Sequence, residues 1–249
     1  MNHVEFIEPF GLIYLYWLIR DLLDRGASKV LVELPDSLDV RNYLVRMHFP
    51  AAVSDLPVGF RPPIEQLQLS ERDLADKLLE VSIFELKNDD QVEDLTQRIF
   101  ETIVMRGKDL EISGEYLRLG LGELLSNIES HSQSREAIVT VQRYNQRVQI
   151  AVGDGGIGIP AALEGRLGTL SDAEMVLRAL DPHVSSRIGR GGLGLPMIVE
   201  AVREHGGYLG IRSGAAHVYA GDRGISARES CSPLPGTLVE IVWDPRPRV

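Results

Sequence analysis

Cysteine is almost missing from this chain: Cys231 stands alone among 249 residues. An intrachain disulfide framework and a cysteine zinc site are therefore excluded, and a reducing, cytoplasmic setting is expected. Cys231 sits in a Ser/Pro-rich stretch without an activating neighbour, which speaks against a reactive thiol. Basic residues are short too, 26 Lys and Arg against 36 Asp and Glu, giving a formal net charge of -10. That balance argues against a general nucleic-acid or anionic-membrane binder, since both need a cationic surface. The most apolar run, Phe10 to Ile19, ends at Arg20-Asp21 and falls short of the ~20 residues that span a bilayer. No basic segment precedes it, so no signal peptide is expected. A phosphate loop of the form GxxxxGK[ST] is absent as well, which removes the Walker type of ATPase.

What the chain does have is glycine in two clusters. Val152-Gly153-Asp154-Gly155-Gly156-Ile157-Gly158-Ile159-Pro160 and Gly189-Arg190-Gly191-Gly192-Leu193-Gly194-Leu195 bracket a polar segment, and such turns let bare backbone approach a ligand. Both satisfy GxGxxG, the dinucleotide pattern. A Rossmann site needs a strand, one glycine turn and an immediate helix. Here Pro160 follows the first loop and the polar residues 181–188 precede the second, so the fit is poor.

Hydrophobic residues make up 44% and charged residues 25%, enough for one or two packed domains. Residues 4–8, the apolar stretch Phe10 to Arg25 and the KVLVEL run at Lys29 to Leu34 predict strand, helix, strand. A helix over Arg41 to Phe49 turns Tyr43, Leu44 and Met47 inward. These form a small α/β module, residues 1–62, and the loop-forming stretch Val53 to Pro63 marks its end. Residues 63–77 read as a linker and 78–249 as the main domain. Leu78 to Phe84 alternates as a strand, and Asp89-Asp90 offers a cap for a helix through about Met105. A second helix runs from Gly114 to about Ser130, and a hairpin from Ala137 to Gly153 feeds the first glycine loop. A helix to His205, a strand Tyr208 to Ser213, a loop or hairpin over Gly214 to Pro235 and a last strand Gly236 to Trp243 complete the chain. The class is α+β, with helices on one face of a mixed or antiparallel sheet.

Three features carry chemistry. On the helix from Leu117, the apolar Leu117, Leu121, Leu125 and Ile128 fall to one side, whereas Glu123, Asn127 and His131 are successive i, i+4 neighbours. An amide oxygen there suits Mg²⁺, and a carboxylate can orient or deprotonate a nucleophile; the plainer reading is a solvated helix face. Asp154, after the alternating Val148, Ile150 and Val152, can accept from an exocyclic amine such as that of adenine, unless it is an ordinary Asp-Gly turn. Gly192 and Gly194 lead into a helix with Pro196 in its first turn, so free amides can meet phosphate. Arg187 and Arg190 can add charge.

Together, Glu123 to Asn127 with His131, the Asp154 to Pro160 loop, the Gly189 to Leu195 loop and Gly236-Thr237 before the last strand resemble the four boxes of the histidine-kinase-type ATPases, the GHKL superfamily or Bergerat fold. The resemblance covers roughly residues 78–249. It implies ATP and Mg²⁺ as ligands: Asn127 holds Mg²⁺ through the ATP phosphates, Asp154 reads adenine, and Thr237 lies near the base. Gly156, Gly158 and Ile159, and the lid positions Arg190, Gly191, Gly192, Leu193, Gly194 and Leu195, complete the nucleotide set.

None of the six histidines has the acidic neighbour and downstream Pro of a phosphoacceptor, which excludes an autophosphorylating sensor kinase. The short spacer before the boxes also speaks against the transducer domain expected of gyrase-like and mismatch-repair ATPases. In layout the chain resembles the anti-sigma-factor kinases, where Glu123 would activate water or a partner's Ser/Thr hydroxyl, and the N-terminal module is loosely similar to a STAS-type regulatory fold. A regulatory protein partner of STAS or sigma-factor type and a homodimer are the implied associations. The alternative is a non-catalytic ATP-dependent switch that binds such a partner. Ala161 to Gly191, weakly apolar and flanked by glycine turns, is expected to be a lid ordered by ATP.

Overall fold

The computed structural model describes residues 4–64, 77–106, 114–134, 136–144, 147–182, 184 and 194–243. Its N-terminal module consists of α1 (Pro9–Asp24), β1 (Val30–Glu33), α2 (Leu38–Arg46), α3 (Phe49–Ala52) and β2 (Val58–Arg61). Then come β3 (Lys77–Glu85), α4 (Asp89–Arg106), α5 (Gly114–His131), β4 (Glu136–Tyr144), β5 (Arg147–Asp154), α6 (Gly158–Leu167), α7 (Asp172–Ala179), α8 (Gly194–His205), β6 (Gly207–Gly221) and β7 (Gly224–Trp243). Strands β3-β4-β5-β7-β6 form one antiparallel sheet, and β1-β2 a small parallel pair. This is the α+β layout of the Bergerat fold.

Alternation along the strands decides what each sheet face buries. Val139, Val141, Ile150, Val152, Val239 and Ile241 pack with Leu95, Ile99, Leu121, Leu125 and Val202 of α4, α5 and α8. Burying each such side chain contributes roughly 1.5–3 kcal/mol. Truncating one at full burial, such as Leu121, costs about 2–5 kcal/mol because the cavity is only partly refilled. On the opposite face Ile138, Ala151 and Leu238 pack with Leu12, Ile13 and Trp17 of α1. The same face also buries polar side chains, Thr140, Gln142, Gln149, Arg212 and Glu240. The N-terminal module covers it: the Tyr43 hydroxyl donates to Gln142 Oε1 at 2.6 Å, and Gln149 Nε2 donates to Glu8 Oε1 at 3.1 Å.

Several expectations change. Residues 4–8 form no strand, so the module opens on α1. The stretch read as a loop boundary contains β2, paired in register with β1 from Val30↔Val58 to Glu33↔Arg61. Asn88, not Asp89 or Asp90, caps α4: its Oδ1 accepts from the Gln91 N–H at 2.9 Å. Pro160 does not keep a helix away from the first glycine loop, since α6 begins at Gly158 and proline is tolerated in a first turn, where N–H groups have no helical partner. The antiparallel sheet, not Pro160, is what rules out a Rossmann site. Of the two readings of residues 214–235, loop or hairpin, the hairpin holds: β6 and β7 continue through it, paired from Ala216↔Glu229 to Gly221↔Gly224, and Cys231 lies in β7.

The weak apolar anchoring expected of residues 161–182 is corrected. Leu163 of α6 and Met175, Val176 and Ala179 of α7 are buried in the main core. A Ser171/Glu174 capping box starts α7, and Asp172 Oδ2 accepts from the Ala215 N–H of β6 at 2.7 Å. Residues 185–191 lie outside the described residues.

Candidate functional site

The four apolar residues of α5 fix its rotation: Leu117, Leu121, Leu125 and Ile128 are all buried. Glu123 and Asn127 are thereby turned toward a cleft between the end of β5, α6 and the start of α8. Its open space is about 860 Å³, solvent mouth included. Ile128, Val152, Ala162, Leu163 and Val239 wall it, giving an apolar slot with few polar groups, the usual make-up of a small-molecule site.

Asp154 lies in this slot at 4% exposure. Burial pushes its carboxyl up to about 6, against the pull of the Gly156 and Thr237 backbone N–H groups. Gly156 N donates to Asp154 Oδ1 at 2.8 Å. A carboxylate accepts at about four lone-pair sites, so capacity remains for a donor entering the slot. The free acceptor capacity therefore suits a flat heterocycle carrying an amine.

Behind Asp154, Ser213 joins three segments. Its Oγ accepts from the Ile159 N–H at 2.8 Å, donates to Gly236 O at 3.0 Å, and lies 2.9 Å from Thr237 Oγ1. Since Ser213 has one proton and the carbonyl takes it, the Thr237 hydroxyl donates to Ser213. Gly158 adopts φ 79°, and a Cβ there would stand 2.8 Å from Ser213 Oγ, so both conformation and space require glycine. Gly194 has a different reason: its missing Cβ leaves room for the Glu123 side chain, with which it would collide. The first turn of α8, with its unpaired amides and positive dipole end, is thus seated on Glu123.

One cleft brings together Glu123, Asn127, Asp154, Gly158, Ile159, Gly194, Leu195 and Thr237. Gly156 serves beside it through its N–H. Arg187, Arg190, Gly191, Gly192 and Leu193 lie outside the described residues, as does the His131 side chain. Reading the sequence missed Ser132, whose carbonyl accepts from Ile157 N at 2.8 Å and ties the end of α5 to the loop. It also missed Ser213 and the α6 wall, Ala162 and Leu163; no local motif marks these residues.

An antiparallel sheet backed by helices, with a buried carboxylate at a strand end and a polar helix stripe at the mouth, defines an adenine-nucleotide-binding domain of Bergerat type. The chain belongs to the histidine kinase-, DNA gyrase B-, and HSP90-like ATPase family, whose model matches residues 113–246. β3 and α4, which extend the same sheet and helical layer, precede the match. A comparison with curated proteins finds no match. Among the described residues no helix is long and apolar enough to cross a membrane.

Proposed function

We propose that this chain is a Mg²⁺-dependent ATP-binding regulator that transfers the γ-phosphoryl group of ATP, either to water or to a Ser/Thr hydroxyl of a partner protein, in the manner of the anti-sigma-factor kinases. The observation that carries this reading is the placing of Glu123 and Asn127, one helical turn apart, in the same cleft as the buried Asp154. Asp154 accepts from the adenine amine. Asn127, at the exposed mouth, offers an amide oxygen to Mg²⁺, which otherwise keeps phosphate oxygens and water as ligands. When bound, the metal neutralises charge on the β- and γ-phosphates. Glu123 takes the proton of the attacking hydroxyl as its oxygen bonds to the γ-phosphorus and the bridge to the β-phosphate breaks, releasing ADP. The first-turn amides of α8 face the developing negative charge.

In this reading residues 1–62 are the regulatory, STAS-like module, 63–77 a linker and 78–249 the catalytic domain, acting in the cytoplasm on a regulatory partner. Phosphate release and transfer assays test it, run with and without candidate partners. Glu123→Ala should still bind Mg·ATP and lose turnover by about 10²-fold, the usual share of a general base. Asn127→Ala should instead lose Mg²⁺-dependent affinity. Wild-type rates in both variants would mean that the stripe is a solvated helix face.

A further inference from the structure

Strand alternation gives the nucleotide loop two sides. Asp154 continues the Val148, Ile150, Val152 side of β5 and enters the cleft, so Gly153 and Gly155 face the other layer. There the indole of Trp17, from α1, occupies the space that a side chain on Gly155 would need. A Cβ on Gly155 would collide with the Trp17 ring, and one on Gly153 would come within 2.5 Å of Leu238 Cδ2, 2.8 Å of Ile13 Cγ2 and 3.3 Å of Trp17 Nε1. Trp17 is 4% exposed, and its Nε1 has no hydrogen-bond partner among the described residues. A buried indole N–H without a partner is costly, so hydrogen bonding does not account for the ring's place there; its shape against the loop does. The ring is also pinned. Tyr16 meets it edge-on at 5.1 Å, and Arg20 stacks 6.0 Å from its centroid while pairing with Glu136 of β4 at 3.6 Å.

We propose that Trp17 is a positioning residue for the adenine-reading loop, and that through it the N-terminal helix registers whether the nucleotide site is filled. The inference rests on the reading of Asp154 as the adenine acceptor. The Asp154–Gly156 turn closes against the indole at Gly155, so any adjustment of that turn when a base binds is felt by Trp17, with no side chain between them. The polar contacts of the module with the sheet, Tyr43 to Gln142 and Gln149 to Glu8, hold α1 in one register while it does so.

The test uses the full chain. In Trp243→Phe, Trp17 is the remaining tryptophan, and its emission should change saturably with adenosine and with ATP, each with the midpoint given by direct calorimetry. Trp17→Ala should weaken adenosine and ATP by the same factor, about tenfold for each 1.4 kcal/mol lost, because the loop and not the phosphate end is affected. Trp17→Phe, which keeps a ring on the glycines, should recover most of that loss. Ile19→Ala, equally buried in α1 but absent from the contacts of Gly153 and Gly155, should lower the melting temperature without moving either affinity. If Trp243→Phe binds ATP while Trp17 emission stays constant, the inference fails and the proposed function stands; this arm decides the matter even where Trp17→Ala does not fold. Unchanged affinities in a folded Trp17→Ala would overturn it equally. A wild type that binds no adenine nucleotide overturns the functional reading and the inference with it.

Discussion

Glu240→Gln should make the protein more stable at neutral and alkaline pH and no more stable near pH 5. Glu240 is 7% exposed on the sheet face under the N-terminal module, where the Tyr208 hydroxyl donates to its Oε2 at 3.1 Å and its Oε1 has no partner among the described residues. Burial, reinforced by the nearby charge of Glu8, pushes its carboxyl from 4.5 up to about 7. The folded state therefore holds a proton there that the unfolded chain has already lost above pH 4.5, and stability falls as pH rises between those values. The span corresponds to at most about 3 kcal/mol at 1.36 kcal/mol per pH unit. Glutamine keeps an acceptor for Tyr208 and cannot ionise. Urea unfolding of both proteins from pH 5 to pH 8 measures the difference, in which titrating groups not coupled to Glu240, Asp154 included, cancel. The variant should gain steadily up to about pH 7 and level off beyond it. Parallel profiles would show that Glu240 is not held protonated and that the sheet face is wetter than the geometry describes.

Asp154 titrates in the same range with a different consequence: as a carboxyl held near 6 that must be ionised to accept from an amine, it should make ATP affinity fall as pH drops below about 6, while Asp154→Asn shows a flat profile by calorimetry. Ser213→Ala removes the hydroxyl shared by Ile159, Gly236 and Thr237 and leaves Ile159 N–H without that acceptor; a loss of roughly 1–3 kcal/mol in urea unfolding, with weaker ATP binding, is expected, and unchanged values for both would remove Ser213 from the site. Gly194→Ala drives a methyl group into the Glu123 side chain and should cut turnover more than nucleotide affinity, as measured by phosphate release beside calorimetry.

The parts of the site that could be read in the sequence are those whose partners lie a turn or a strand away. Glu123 and Asn127 declared themselves by i, i+4 spacing opposite a buried Leu stripe, and Asp154 by its place after three alternating apolar residues, so local periodicity carried both. The α6 wall was hidden because Pro160 looks like a helix breaker, although in a first turn it costs little. β2 was hidden by its flanking prolines, Pro57 and Pro62, and the β6/β7 hairpin could not be told from a loop because its small inward residues, Ala216 and Ala220, alternate only weakly in hydrophobicity with His217 and Tyr219. Trp17 against Gly155 could not be read at all. Nothing local says that an absent Cβ on a glycine loop is the socket for an indole near the start of the chain.

The central claim is that Asp154 reads adenine. Calorimetric titration of wild type and Asp154→Asn with ATP and GTP tests it most directly. The wild type should bind ATP in preference to GTP, which carries a carbonyl where adenine carries its amine. The variant presents a donor to that amine and should bind ATP about tenfold or more weakly, since a buried mispaired polar group costs roughly 1–3 kcal/mol. Equal ATP affinity in the two proteins, or equal binding of ATP and GTP by the wild type, would contradict it.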